Sequence, residues 1–155
     1  MRRSLKPDFE PALYFRLFNE IGIIAQLSGT VLEAHLPDGL LEPHFRILNH
    51  LTRVGDGRTV QSMADAFQVP KTSVSHQVRV LLRHDLVRVE ANPKDGRSKT
   101  VWLAEGGRSL HARTTNALAA VFVRWSDAID PATVSALVPE LERIRKYLGA
   151  DRDTR

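Results

Sequence analysis

The sequence predicts a mainly α-helical protein carrying one small β-hairpin. Three observations predict it. Apolar residues recur at spacings of three and four over most of the 155 residues. Strict alternation occurs only in two short segments, residues 86–91 (LVRVEA) and 98–104 (SKTVWLA). Between those two lies a turn-rich hexapeptide, Asn92-Pro93-Lys94-Asp95-Gly96-Arg97.

In chain order, the first helix runs from Pro11 to about His35. Tyr14, Leu17, Phe18, Ile21, Ile24, Ala25, Val31 and Leu32 form its stripe, and Pro37-Asp38-Gly39 ends it. Phe45, Ile47, Leu48 and Leu51 mark a short second helix that closes near Gly55-Asp56-Gly57. Thr59 is the expected N-cap of a third, with Val60, Met63, Ala64 and Phe67 on one face. After a break at Gln68-Val69, Pro70 occupies the first turn of a fourth helix that runs to about Asp85; its missing N–H costs nothing there. In the hairpin, Val87 and Val89 oppose Arg88 and Glu90, and Val101 and Leu103 oppose Thr100 and Trp102. Leu110, Thr114, Ala117, Leu118, Val121 and Trp125 stripe a fifth helix from about Gly107 to Asp127. Asp130 as N-cap and Pro131 at the first position open a sixth, striped by Val134, Leu137, Val138, Leu141, Ile144 and Leu148 and stopped at Gly149. Residues 1–7 and 151–155 are expected to fray.

Composition removes several function classes. There is no cysteine, which excludes disulfides, thiolate catalysis, iron–sulfur clusters and cysteine redox sensing. The longest clean apolar run, residues 117–123, is far short of the ~18 residues of a membrane span. No signal-peptide core follows Arg2-Arg3, so a cytoplasmic protein with no membrane partner is expected. No paired-carboxylate, P-loop or Gly-rich phosphate signature is present. Ser75-His76 is not a catalytic pair, because adjacent helical residues diverge by about 100°. The chain is therefore not expected to be an enzyme, and no cofactor is expected.

The formal net charge of +4 is localised. Residues 71–104 carry seven basic and three acidic side chains, net +4, while the segments before and after carry −1 and +1. Within this block the fourth helix is two-sided. Val74, Val78 and Leu81 share one face. Thr72, His76, Arg79 and Arg83 occupy the other, flanked by Ser73, Ser75 and Gln77. No acidic residue occurs from Pro70 to His84. Short hydroxyls and amides reach base edges, and neighbouring cations hold phosphates. Two short helices, a tight turn and a basic hairpin together read as a winged helix-turn-helix that binds double-stranded DNA.

The residues VPKTSVSHQVRVLL (69–82), Leu86-Val87, Asp95-Gly96-Arg97 and Leu103-Ala104-Glu105-Gly106-Gly107 resemble the multiple-antibiotic-resistance regulator (MarR) family. The motif-bearing match covers about residues 59–107, and the flanking helices agree in number, order and length. The resemblance implies a homodimeric winged helix-turn-helix transcription factor whose terminal helices form the dimer interface, acting as a repressor released by a small aromatic or anionic ligand. It places Lys71, Thr72, Ser73, Ser75 and His76 in the recognition helix. Arg97 becomes the wing arginine that enters the minor groove, and Asp95 the residue that steadies it. Together with the residue reading, the DNA-binding set is Lys71, Thr72, Ser73, Ser75, His76, Gln77, Arg79, Lys94, Asp95, Arg97 and Lys99. This sequence departs from the family pattern at Pro70, His76, Gln77, Asp85 and Ala104.

The division implied is an N-terminal dimerisation helix (8–38), a winged helix-turn-helix (40–104, recognition helix 70–85, wing 86–104) and C-terminal dimerisation helices (105–149). The outer helices bring more apolar surface than one small core covers, which calls for a twofold mate. An inverted-repeat operator with half-sites about 10 bp apart follows. For an effector, the candidates where the long helices meet the winged unit are Arg16, His44, Phe45 and Trp102. A metal-responsive regulator is the alternative, through His35, Glu42, His44, His50 and His111, but no tight ligand spacing occurs and no metal site is assigned. A winged-helix protein-interaction module without DNA binding is the third reading.

Overall fold

The computed structural model describes residues 9–153, so the segment 1–7 read as a frayed end lies outside the described residues, as do residues 154–155. The order is α1 (Pro11–Glu33), α2 (Glu42–Val54), β1 (Arg58–Thr59), α3 (Val60–Phe67), α4 (Lys71–Arg83), β2 (Val87–Asn92), β3 (Asp95–Leu103), α5 (Glu105–Trp125) and α6 (Pro131–Asp153). The protein is mainly helical, with a small antiparallel wing. The sheet order is β1-β3-β2.

The local chemistry behind these elements is visible. The Thr59 hydroxyl accepts the Ser62 N–H at 3.1 Å and so caps α3. Gln68, at φ 58°, turns the chain in the left-handed region between α3 and α4. Asp85 takes φ 54° and makes the turn into β2 itself; short Asp side chains tolerate this region. The Asp130 carboxylate accepts the Ala132 N–H at 3.0 Å at the start of α6.

The structure departs from the sequence reading in five places. The two-residue strand β1 is too short to carry a period, yet it pairs Arg58 and Thr59 with Val101 and Thr100. The wing loop is shorter than the hexapeptide 92–97, because the strands continue to Asn92 and resume at Asp95 through a register irregularity at Ala91/Asn92. Thr100, read as outward-facing, is buried: the Trp102 indole N–H donates to its hydroxyl at 3.0 Å and covers it. Gly149 does not stop α6, which continues to Asp153. A single helical glycine costs only about 1 kcal/mol, and here its bare Cα lies against the Gln68 side chain. Pro70 stands one residue before α4 rather than within its first turn.

One core serves α2–α4, the sheet and the start of α5. Ile47, Leu48, Leu51, Met63, Val74, Leu81, Val101 and Leu103 are almost fully buried in it, and Leu110 anchors α5 to it. Gly107 is buried at the seam between α5 and β2: a Cβ there would stand 2.1 Å from the Leu86 carbonyl oxygen. Asp56 ties the same corner, accepting the Leu103 N–H at 2.8 Å and pairing with Arg108.

The outer helices are different. α1 buries none of its residues, and Leu13, Tyr14, Phe15, Phe18, Ile23, Ile24 and Leu27 are exposed. Along α6, Val134, Leu137, Val138, Leu141, Tyr147 and Leu148 are exposed as well. Apolar surface on this scale, continuous over two long helices, marks an interaction face.

Candidate nucleic-acid interface

Helix α4 buries Val74, Val78 and Leu81, as its apolar face requires, and also Val80. That packing turns the opposite face to solvent. Lys71, Thr72, His76, Arg79 and Arg83 are exposed, and Ser73, Ser75 and Gln77 are half-buried beside them.

A local use for the hydroxyls is ruled out by their geometry. If they only capped the helix, they would accept first-turn N–H groups. No side chain caps α4, and among the described residues Thr72, Ser73 and Ser75 make no side-chain hydrogen bond. The first-turn amides satisfied by backbone are those of Ser73 and Val74, both on the Pro70 carbonyl. The N-terminal end of α4 therefore offers free hydroxyls, free N–H groups and the positive end of the helix dipole to solvent.

The wing is held by its own polar network. The Asp95 carboxylate accepts the Arg97 N–H at 3.0 Å. Asn92 donates to the Ser98 hydroxyl at 2.8 Å and accepts the Lys94 N–H at 3.0 Å. The Arg97 side chain is left exposed at the rim. A groove of about 490 Å³ runs between the wing and the start of α4, lined by Lys71, Ser75, Asp95, Arg97 and Lys99. Thr59, Gln61, Asn92 and Ser98 line it too, and the sequence reading missed them. Thr59 and Gln61 arrive only because β1 pairs with β3, a contact spanning some forty residues. Asn92 had a local signal, its place at the head of the Asn-Pro turn.

The electrostatics sharpen on inspection of pairs. Arg88 is neutralised by Glu90 at 2.6 Å and lies over the Trp102 ring, 5.4 Å from its centroid. Among the described residues, Lys71, Arg79, Arg83, Lys94, Arg97 and Lys99 have no carboxylate in ion-pair range. These six cations on α4 and the wing are therefore open to a polyanion that meets this face.

The effector candidates are not brought together. Arg16 is exposed on α1. His44 is buried, its Nδ1 accepting the Leu41 N–H at 2.9 Å. Phe45 is buried and stacks on His111 with centroids 5.4 Å apart. Trp102 belongs to the wing and packs over Gly57. None of the four lines the cleft of about 570 Å³ that opens between α1, α2 and α5. The histidines considered for metal are likewise separately engaged. His35 donates to the Val31 carbonyl at 2.8 Å, His50 packs edge-on against Phe67, and His111 donates to Asn49 at 3.1 Å. Among the described residues no three His, Asp or Glu side chains form a group that could hold a metal ion.

Burial holds the imidazoles of His44, His50 and His111 below the usual 6.5; at His50, Arg58 and Arg53 add to it. The native state thus withholds protons that the unfolded chain accepts, so stability is complete above about pH 6.5 and declines as the pH falls below it. Chemical denaturation at pH 7.5 and 5.5 is expected to show the loss, and His44→Asn, which keeps an acceptor for Leu41, is expected to reduce it. A stability that holds or rises on acidification contradicts this.

Comparison with known proteins agrees with the geometry. Residues 38–98 match the model of the MarR family. No curated protein matches. Among solved structures, the transcriptional regulator SlyA is similar with a TM-score of 0.77 at 16% identity, over 89% of this chain and 97% of that one. AbsC, a MarR family transcriptional regulator from Streptomyces coelicolor, is similar with a TM-score of 0.72 at 26% identity, over 95% of this chain and 98% of that one. Staphylococcus aureus MarR in complex with salicylate and kanamycin is similar with a TM-score of 0.74 at 17% identity, over 89% and 93%. No helix among the described residues is long and apolar enough to cross a membrane. With its two-sided α4 and basic wing, the chain is similar to the MarR family over residues 38–98 and shares the winged helix-turn-helix fold of these solved regulators over most of its length.

Proposed function

We propose that the protein works as a twofold dimer that grips an inverted-repeat operator, represses transcription there, and lets go when a small ligand binds. The observation that carries the DNA reading is the polar face of α4: exposed, free of acids, and with hydroxyls that have no partner among the described residues. On this reading Lys71, Thr72, Ser73, Ser75, His76, Gln77 and Arg79 face the major groove, with base edges read by the short polar groups. Lys94, Arg97 and Lys99 hold phosphates and the narrow minor groove, where an inserted guanidinium meets enhanced negative potential. Asp95 shapes the turn that presents Arg97. The apolar faces of α1 and α6 support the twofold mate, with residues 8–38 and 105–149 serving dimerisation and 40–104 serving DNA.

Gel shifts with genomic fragments, repeated across a salt series, test this. Binding is expected to weaken steeply as salt rises, because phosphate contacts release counterions. Lys94→Ala is expected to lower the salt slope by about 1. Arg97→Ala is expected to weaken binding about tenfold and relax preference in the A·T-rich flank, while His76→Ala changes base preference in the major groove. Salt-insensitive or absent binding would instead favour a protein-interaction module, and wild-type footprints from both variants would overturn the contact assignments.

A further inference from the structure

The wing leaves the core as a ribbon of two strands. At its root Val87, Val101 and Leu103 are buried, but from Glu90 to Lys99 every residue is exposed or half-buried. A two-stranded ribbon twists readily, so β2 and β3 by themselves do not set where Arg97 stands relative to α4. The setting comes from the other face of the root, where one side chain touches three residues.

That side chain is Trp102. Its ring lies against Gly57: a Cβ there would stand 2.8 Å from Cζ2 and 3.0 Å from Cη2, so any side chain at 57 would push the ring away. The Gly57 loop is itself fixed. The Gly57 N–H donates to the Val101 carbonyl at 3.1 Å, and Asp56 accepts the Leu103 N–H at 2.8 Å. Arg88, the cross-strand partner of Trp102, holds its guanidinium 5.4 Å from the ring centroid, and Glu90 pairs with Arg88 at 2.6 Å. The indole N–H donates to the Thr100 hydroxyl at 3.0 Å. Strand β2, strand β3 and the loop before β1 thus close on one flat ring.

The lever is long. Arg97 lies five residues from Trp102, and a strand rises about 3.3 Å per residue, so the tip stands about 17 Å from the ring. A tilt of about 10° at the root moves the tip by about 3 Å, half the ~6 Å width of a minor groove. We propose that Trp102 is a positioning residue for DNA: seated on Gly57 beneath Arg88, it fixes the angle of the wing and so the reach of Arg97 into the minor groove. The inference rests on the DNA reading given above and adds the residue that governs flank selectivity.

Selecting bound fragments from a randomised operator with the full-length protein reads flank and centre separately. Trp102→Ala is expected to weaken binding about tenfold and to flatten the A·T preference of the flank, as Arg97→Ala does, while the major-groove preference governed by His76 stays. Trp102→Phe keeps a flat ring against Gly57 and is expected to restore the flank preference. In the double variant, Trp102→Ala/Arg97→Ala is expected to bind no more weakly than Arg97→Ala alone, because both changes remove one contact. Losses that multiply to about a hundredfold overturn the proposal, since they show Trp102 supporting DNA by another route. So does a Trp102→Ala protein with wild-type flank preference, or a Trp102→Phe protein as unselective as the alanine variant. If circular dichroism shows the alanine variant unfolded, Trp102→Leu takes its place and is judged by the same outcomes; it still covers Thr100 but is too short to reach Gly57. The parent protein separates the two readings. A parent that binds no fragment in a salt-dependent way overturns both, whereas a parent that binds and selects, matched by Trp102→Ala, overturns the role of Trp102 alone.

Discussion

Replacing Gly107 with alanine is expected to destabilise the protein more than any other single methyl group. The added carbon would stand 2.1 Å from the Leu86 carbonyl oxygen and 3.1 Å from its carbonyl carbon, both backbone atoms that cannot swing aside. Relief requires α5 to move away from β2, which opens the seam at Leu103 and Leu110. Overpacking typically costs about 1–3 kcal/mol, and a backbone clash belongs at or above the top of that range. For a chain of this size that corresponds to a melting point lower by roughly 10 °C. Gly96→Ala is the control, since its methyl meets open space; it is expected to stay within about 2 °C of wild type. A Gly107→Ala protein that melts with wild type means that α5 does not lie against β2 as described. The same contact explains why the fifth residue of the Leu103–Gly107 motif is glycine: it is the point where α5 meets the Leu86 carbonyl at the head of β2.

The second large effect concerns the outer helices. Ile24 and Leu27 are 61% and 63% exposed, so replacing both with glutamate leaves the core of the winged unit untouched. If α1 and α6 meet a twofold mate, the new carboxylates would be buried without partners in that interface, which is strongly unfavourable. Ile24→Glu/Leu27→Glu is expected to sediment as a monomer where the parent is a dimer. Operator affinity is expected to fall by about a hundredfold or more, because two half-sites joined in one dimer bind with a high effective concentration that separate monomers lose. Unchanged circular dichroism would show that the fold is intact. A double variant that stays dimeric and binds normally removes the outer helices from the interface.

The two experiments probe different levels of the same molecule. Gly107→Ala acts on the joint between α5 and the winged unit, whereas the α1 variant changes exposed residues outside that core and is aimed at a contact between subunits. Loss of DNA binding with the first therefore reports unfolding, and with the second reports the loss of paired recognition helices. A cleft lies between these levels, lined by α1, by α2 of the winged unit and by the far end of α5. A ligand that widened it would change the angle between the outer helices and the winged unit, and with it the separation of two recognition helices in a dimer.

Much of this was legible in the residues. Six helical stripes, the Thr59 cap, the Asp130-Pro131 start and the alternation of the hairpin were local patterns, and each describes a local element of the structure. The polar face of α4 was legible for the same reason: helical period alone separates Val74, Val78 and Leu81 from Thr72, His76 and Arg79. What local pattern cannot show is which distant groups meet. Strand β1 has two residues and no period, and only pairing with β3 brings Thr59 and Gln61 to the groove. Thr100 alternates as an outward residue, but Trp102 folds over it. Gly149 has the composition of a stop, yet α6 continues through it.

The same division holds for charge and ligand. Sequence alone determined that the positive excess belongs to residues 71–104, because charge is a property of composition. Only the tertiary structure decided which of those cations are free, since Glu90 cancels Arg88 and nothing cancels Lys71 or Arg97 among the described residues. Nor could the residues foretell the cleft. Arg16, His44, Phe45 and Trp102 are each reasonable as residue types, but packing sends them to different places and assembles Gly29, Glu33, Phe122 and Trp125 instead. Secondary structure follows from neighbours in sequence, whereas a cavity is the space left between elements after they pack, and that space is written in no single segment of the chain.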